Sequence, residues 1–142
     1  MAPIGGGGLL SGSALVAKSD EINYLPHVIG AEPEGAKDAW QGFKSGERIS
    51  QFSPETIADG LRATVGLRNF KIICNQVDDI LLASEERIVE AMKLIWSRLK
   101  VVVEPSAAVP LACIMEEPEK FYGQRVAIIL TGGNLDLDQL PW

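Results

Sequence analysis

Gly5, Gly6, Gly7 and Gly8 stand in a row directly before the helix-like run LLSGSALVAK. Glycine loses more backbone entropy on ordering than any other residue, so such a run either supplies geometry or is a flexible spacer. The geometry it could supply is an anion cradle. Amides unshielded by Cβ atoms can close around a phosphate, and a following helix adds its positive end. A second glycine corner, TGGN at residues 131–134, ends the apolar run RVAIILT. By spacing alone, Glu32 and Asp38 read as a solvated acidic helix start. Cys74 and Cys113 lack any metal-ligand spacing and read as buried apolar residues in a reducing compartment. His27 has no motif around it. Trp40, Trp96 and Trp142 read as packing residues, and Lys18 as a solvated charge at a helix end.

The scaffold for these residues is bounded by composition. The chain has 142 residues, 46% hydrophobic and 23% charged, which suits one globular domain. A net charge of −6 with no basic cluster argues against nucleic-acid binding. No apolar run approaches the roughly 18 residues of a membrane span. LLSGSALVA has no basic region before it, and the glycines would break its helix, so it is not read as a signal peptide. A cytoplasmic protein that binds neither nucleic acid nor membrane is expected.

Helix-like and strand-like segments alternate. LLSGSALVAK places Leu10, Ala14 and Ala17 on one helical face. HVIGAE reads as a short buried strand, and EGAKDAWQGFKSG as a helix ending at Gly46. ERISQFSPETIADGLR reads as loop and LRNFKIICNQV as a helix. DDILLAS is a strand leading into SEERIVEAMKLIWSRLK. There Ser84 is the expected N-cap, Glu85 and Glu86 favour the positive end, and Ile88, Met92, Ile95 and Leu99 form the apolar stripe. SAAVPLACIME reads as a helix that Pro110 could kink, and RVAIILT as a buried strand. Strands roughly 50 residues apart with helices between them imply a parallel sheet covered on both faces, with ligands at the carboxyl ends of its strands. Residues 1–4 are too few for a normal central strand before the glycines, so the expected fold is a partial three-layer α/β sheet, truncated at its N-terminus.

PIGGGGLLSG, GAEPEGAKDA, TIADGLR, VDDI, VVVEPSAAV and IILTGGNLDLDQLPW occur in that order. Together they resemble the C-terminal half of the fold type II pyridoxal-phosphate enzymes of the serine/threonine dehydratase and serine racemase family. The resemblance runs from the glycine loop to the C-terminus. It implies the large domain of the tryptophan synthase beta-like fold, with residues 1–142 as its C-terminal part. It implies that Gly5, Gly6, Gly7 and Gly8 wrap the phosphate of pyridoxal 5'-phosphate. Thr131 matches the Ser or Thr that meets the pyridine nitrogen, where a neutral hydroxyl suits elimination better than transamination. Gly132 and Gly133 would let the backbone approach the ring, and Gly60 matches a glycine beside the cofactor's hydroxyl. Glu32, Ala36 and Asp38 match a divalent-cation site, two carboxylates and a carbonyl suited to Mg²⁺ or Ca²⁺. Asn134 resembles an asparagine that touches the nucleotide in ATP-activated racemases, and Glu104 matches a residue close to the cofactor.

The resemblance further implies a homodimer in complete members, with serine or threonine as substrate. Removal of the α-proton is followed by loss of the β-hydroxyl, giving a 2-oxo acid and ammonia, or the proton returns to the other face and racemises the substrate. The Schiff-base lysine that such chemistry requires lies in an SxKxRG motif in the family. No such motif occurs here, nor does the N-terminal half that carries it. The expectation is therefore no catalytic residue in this chain and no ammonia-lyase activity from it alone. A non-enzymatic phosphate- or cofactor-binding module, or one half of a split enzyme, is the alternative.

Overall fold

A computed structural model describes residues 1–24 and 26–142. Three parallel strands form its sheet, β1 (Ala2–Pro3), β2 (Ile29–Pro33) and β3 (Asp79–Ala83), in the order β1-β2-β3. Ala2 pairs with Gly30, and β2 pairs with β3 from Ile29 opposite Asp79 to Pro33 opposite Ala83. Successive side chains of a strand point to opposite faces, and both faces are covered. Ala31 and Leu81 turn toward α4 (Glu85–Leu99) and α5 (Pro105–Glu116). Ile80 turns the other way, into the cluster of Leu10 and Ala14 from α1 (Gly8–Ala17), Ala39 from α2 (Asp38–Ser45), and Phe70 and Ile73 from α3 (Leu67–Gln76). The expected parallel α/β sheet is present, and among the described residues no helix is long and apolar enough to cross a membrane.

The elements follow from local sequence. In α4 the Ser84 side chain accepts from the Arg87 amide, which satisfies one of the helix's orphan donors. Ile88, Met92 and Ile95 are buried beneath it. Leu99 is not: it is 60% exposed in the last turn, which ends on Lys100 in the left-handed conformation. In α5 the small residues Ala107, Ala108 and Ala112 allow close packing on the sheet and on α4, and the helix runs on through buried Pro110. Residues 47–66 are loop apart from a 3-10 turn, Asp59–Leu61.

Three further expectations are corrected. RVAIILT is not a buried strand: Val126 is 40% exposed and Ile129 39%. It lies along the sheet edge, where the Met1 ammonium donates to the Ala127 carbonyl (2.7 Å) and the Ile129 amide donates to the Met1 carbonyl (3.1 Å). These bonds flank Ile128 in the parallel-ladder pattern, but two bonds to one residue do not make a strand. Cys74 is exposed on α3, since that helix buries Phe70 and Ile73 instead; only Cys113 is buried. Lys18 is held by Asp78 at 2.8 Å rather than left in solvent.

Candidate functional site

Strand β1 runs out into the glycine corner at its carboxyl end. Gly5 (φ 48°) and Gly7 (φ 83°) adopt left-handed backbone, which L side chains rarely tolerate. The Gly7 amide donates to the Ile4 carbonyl at 2.8 Å, closing the turn, and Gly7 caps α1. A Cβ on Gly7 would sit 3.0 Å from the Asn69 Cβ and 3.2 Å from side-chain carbons of Ile73 and Val65. The Gly6 carbonyl is turned toward α3, where the Gly66 amide (3.2 Å) and Asn69 Nδ2 (2.7 Å) both donate to it. With carbonyls directed away, the amides of Gly5, Gly6 and Gly8 have no protein acceptor among the described residues. No side chain caps α1 and no acidic residue occupies its first turn. Unpaired amides at a helix N-terminus fit an anion such as a phosphate.

Gly60 and the second glycine corner are tied to this loop through α5. The Gly60 amide donates to Ser106 Oγ at 3.1 Å, and a Cβ on Gly5 would come within 3.1 Å of the Gly60 carbonyl. Two residues before Ser106, the Glu104 amide donates to the Gly132 carbonyl at 3.0 Å. A Cβ on Gly132 would meet Glu104 Oε1 at 2.8 Å, and one on Gly133 would meet the Val102 carbonyl at 2.6 Å. These glycines let the TGGN corner lie against the entry to α5. The Met1 bonds to Ala127 and Ile129 bring the segment leading to Thr131 alongside the first residue of the chain. Thr131 and Asn134 are exposed there. Sequence reading missed Asn69 and Ser106, because their partners are 63 and 46 residues away and no local spacing marks them.

Glu32 and Asp38 are not solvated. The Glu32 side chain lies at the end of β2 with 1% exposure, and its oxygens accept from the Ala39 (3.3 Å) and Trp40 (2.8 Å) amides at the start of α2. Burial, reinforced by the nearby Asp38 charge and opposed by those two amides, pushes its pKa up to about 8. Burial also raises the Asp38 carboxyl, against the Val65 amide it accepts (2.9 Å) and the Arg48 charge. Because Glu32 takes the Ala39 and Trp40 amides, the Ala36 carbonyl receives no backbone hydrogen bond among the described residues. Two interacting buried carboxylates, with a carbonyl on the same turn that lacks a backbone donor, suit one hard cation. Three acidic, histidine or cysteine side chains converge nowhere among the described residues, so water would have to complete such a shell.

The sequence profile of the family described as "Pyridoxal-phosphate dependent enzyme" matches residues 1–132. The chain is similar to the beta-hydroxyaspartate dehydratase of Paracoccus denitrificans, with 49% identity over all of this chain and 44% of that protein. Among solved structures it superimposes on maize serine racemase with a TM-score of 0.90 and 42% identity, covering 96% of this chain and 44% of the other. A threonine deaminase, from T.th., gives a TM-score of 0.88 at 42% identity, covering 95% and 49%. The chain thus spans less than half the length of these relatives.

Proposed function

The chain belongs to the pyridoxal-phosphate dependent enzyme family, and from that premise we propose that residues 5–8 hold the phosphate of pyridoxal 5'-phosphate in an enzyme acting on a small β-hydroxy amino acid. The observation that carries this reading is the set of acceptor-free amides of Gly5, Gly6 and Gly8 around a glycine-capped helix start. When bound, the cofactor supplies an electron sink for breaking the Cα–H bond of the amino acid. The residues of this chain bind and orient it. Gly7 keeps the loop closed against α3, Gly60 bounds the loop's other side, and the Thr131 hydroxyl meets the ring nitrogen without forcing its protonation. Serine racemase, threonine deaminase and hydroxyaspartate dehydratase among the relatives share one substrate feature, a hydroxyl on Cβ. Ammonia-lyase chemistry on such a substrate yields a 2-oxo acid and ammonia; racemisation is its counterpart with the hydroxyl retained.

Glu32, Asp38 and the Ala36 carbonyl hold a divalent cation, Mg²⁺ or Ca²⁺. The reacting lysine is supplied from outside these 142 residues. Within them Lys18, Lys44 and Lys120 sit in ion pairs with Asp78, Asp79 and Glu117, and none belongs to an SxKxRG motif. The purified chain should therefore bind pyridoxal phosphate reversibly and release no 2-oxo acid from serine, threonine or 3-hydroxyaspartate. An assay coupled to 2-oxo acid reduction checks this, and sustained turnover would overturn it.

A further inference from the structure

The peptide joining Gly6 to Gly7 is fastened at both ends. Its N–H donates to the Ile4 carbonyl, and its oxygen accepts from the Gly66 amide and from Asn69 Nδ2, the shortest of the three at 2.7 Å. A trans peptide is planar, so fixing its carbonyl toward α3 fixes the direction of its N–H and limits the planes on either side. Asn69 is itself braced: its backbone carbonyl accepts from Ser11 Oγ at 3.3 Å, one α1 turn beyond the loop. Its Cβ occupies the space in which a side chain on Gly7 would have to fit. We infer that Asn69 is the positioning residue of the glycine loop, its side-chain amide holding the Gly6 carbonyl outward so that the free amides of Gly5, Gly6 and Gly8 face the anion. The inference rests on the phosphate reading proposed above and adds to it a residue on a different element that acts through the loop's backbone.

Two variants separate the donor from the side chain's bulk. Asn69→Ala removes both, and Asn69→Asp keeps the size but cannot donate when ionised. In the 142-residue chain, amide hydrogen exchange reads the loop without any ligand. Both variants should speed exchange at Gly7 while the amides of Ile73 and Ile80 keep their protection, which also reports that the fold persists. Affinity for pyridoxal 5'-phosphate should then fall about tenfold in Asn69→Ala, the scale of one hydrogen bond, and further in Asn69→Asp, with phosphate-free pyridoxal unaffected. Unchanged Gly7 exchange in both variants overturns the inference, as does an equal loss for pyridoxal and its phosphate. A wild-type chain that binds no pyridoxal phosphate, with variants that still free Gly7, overturns the cofactor reading and leaves the positioning role supported.

Discussion

Gly7 and Gly6 are adjacent in sequence but differ in what a methyl group would meet. At Gly7 the backbone is left-handed and three side chains lie within 3.2 Å of the missing Cβ; at Gly6 nothing lies within 4 Å. Gly7→Ala should destabilise the chain by about 1–3 kcal/mol and abolish phosphate binding, whereas Gly6→Ala should change stability by about 0.5 kcal/mol or less, read by urea unfolding. At the acidic pair, Mg²⁺ should raise the thermal midpoint of the wild type, and Glu32→Gln should remove that increment because one of two carboxylates is lost. A Mg²⁺ increment that survives Glu32→Gln would remove Glu32 from the site. At this scale the legible residues are those that act as a local string. The four glycines and the EPEGAKD spacing are visible in the sequence. The burial of Glu32, the amide of Asn69 and the hydroxyl of Ser106 are not, because each depends on a partner that only the fold brings near.

Helix α4 shows the same contrast between local and distant signals. Its Ser84 cap is readable from SEER, but the same hydroxyl also donates to Glu116 Oε1 at the end of α5, at 2.5 Å. The Ser84 hydroxyl, and after it the Ser84 amide and Arg87, hold the Glu116 carboxyl below its usual range, with burial opposing them. A carboxylate whose folded pKa is depressed adds stability above its unfolded pKa, and that stability is lost as pH falls through the folded value. Ser84→Ala should therefore cost about 1 kcal/mol at pH 7 as a lost cap, plus the Glu116 contact. The penalty should shrink toward the cap alone in acid, as measured by thermal unfolding across that range; a pH-independent penalty would contradict the link to Glu116. RVAIILT was misleading for a related reason. An apolar β-branched run is the same string whether neighbours cover it or it lies along an edge, and among the described residues only Met1 pairs with it. The last turn of α4 fails likewise: Leu99 continues the helical period but stays 60% exposed.

For the whole molecule, the alternation of segment types was enough to give the parallel sheet with helices on both faces, since βαβ crossovers leave few other solutions. The alternation does not say where the sheet stops. Val126 and Ile129 leave an apolar, incompletely paired edge, an arrangement that favours self-association. Val126→Lys with Ile129→Lys should reduce that association in sedimentation without lowering the unfolding midpoint; unchanged association would place the contact elsewhere. Residues 5–8 leave the carboxyl end of β1 against Gly60, which bonds Ser106, while Glu104 holds Gly132 at the same α5 entry, and that arrangement carries the functional reading. Its most direct test is a titration of the ¹⁵N-labelled chain with inorganic phosphate. The amide resonances of Gly5, Gly6 and Gly8 should shift together and saturate, with the Gly7 amide, already bonded to Ile4, moving least. Shifts confined to other residues, or none in the glycine loop at saturating phosphate, would contradict the account.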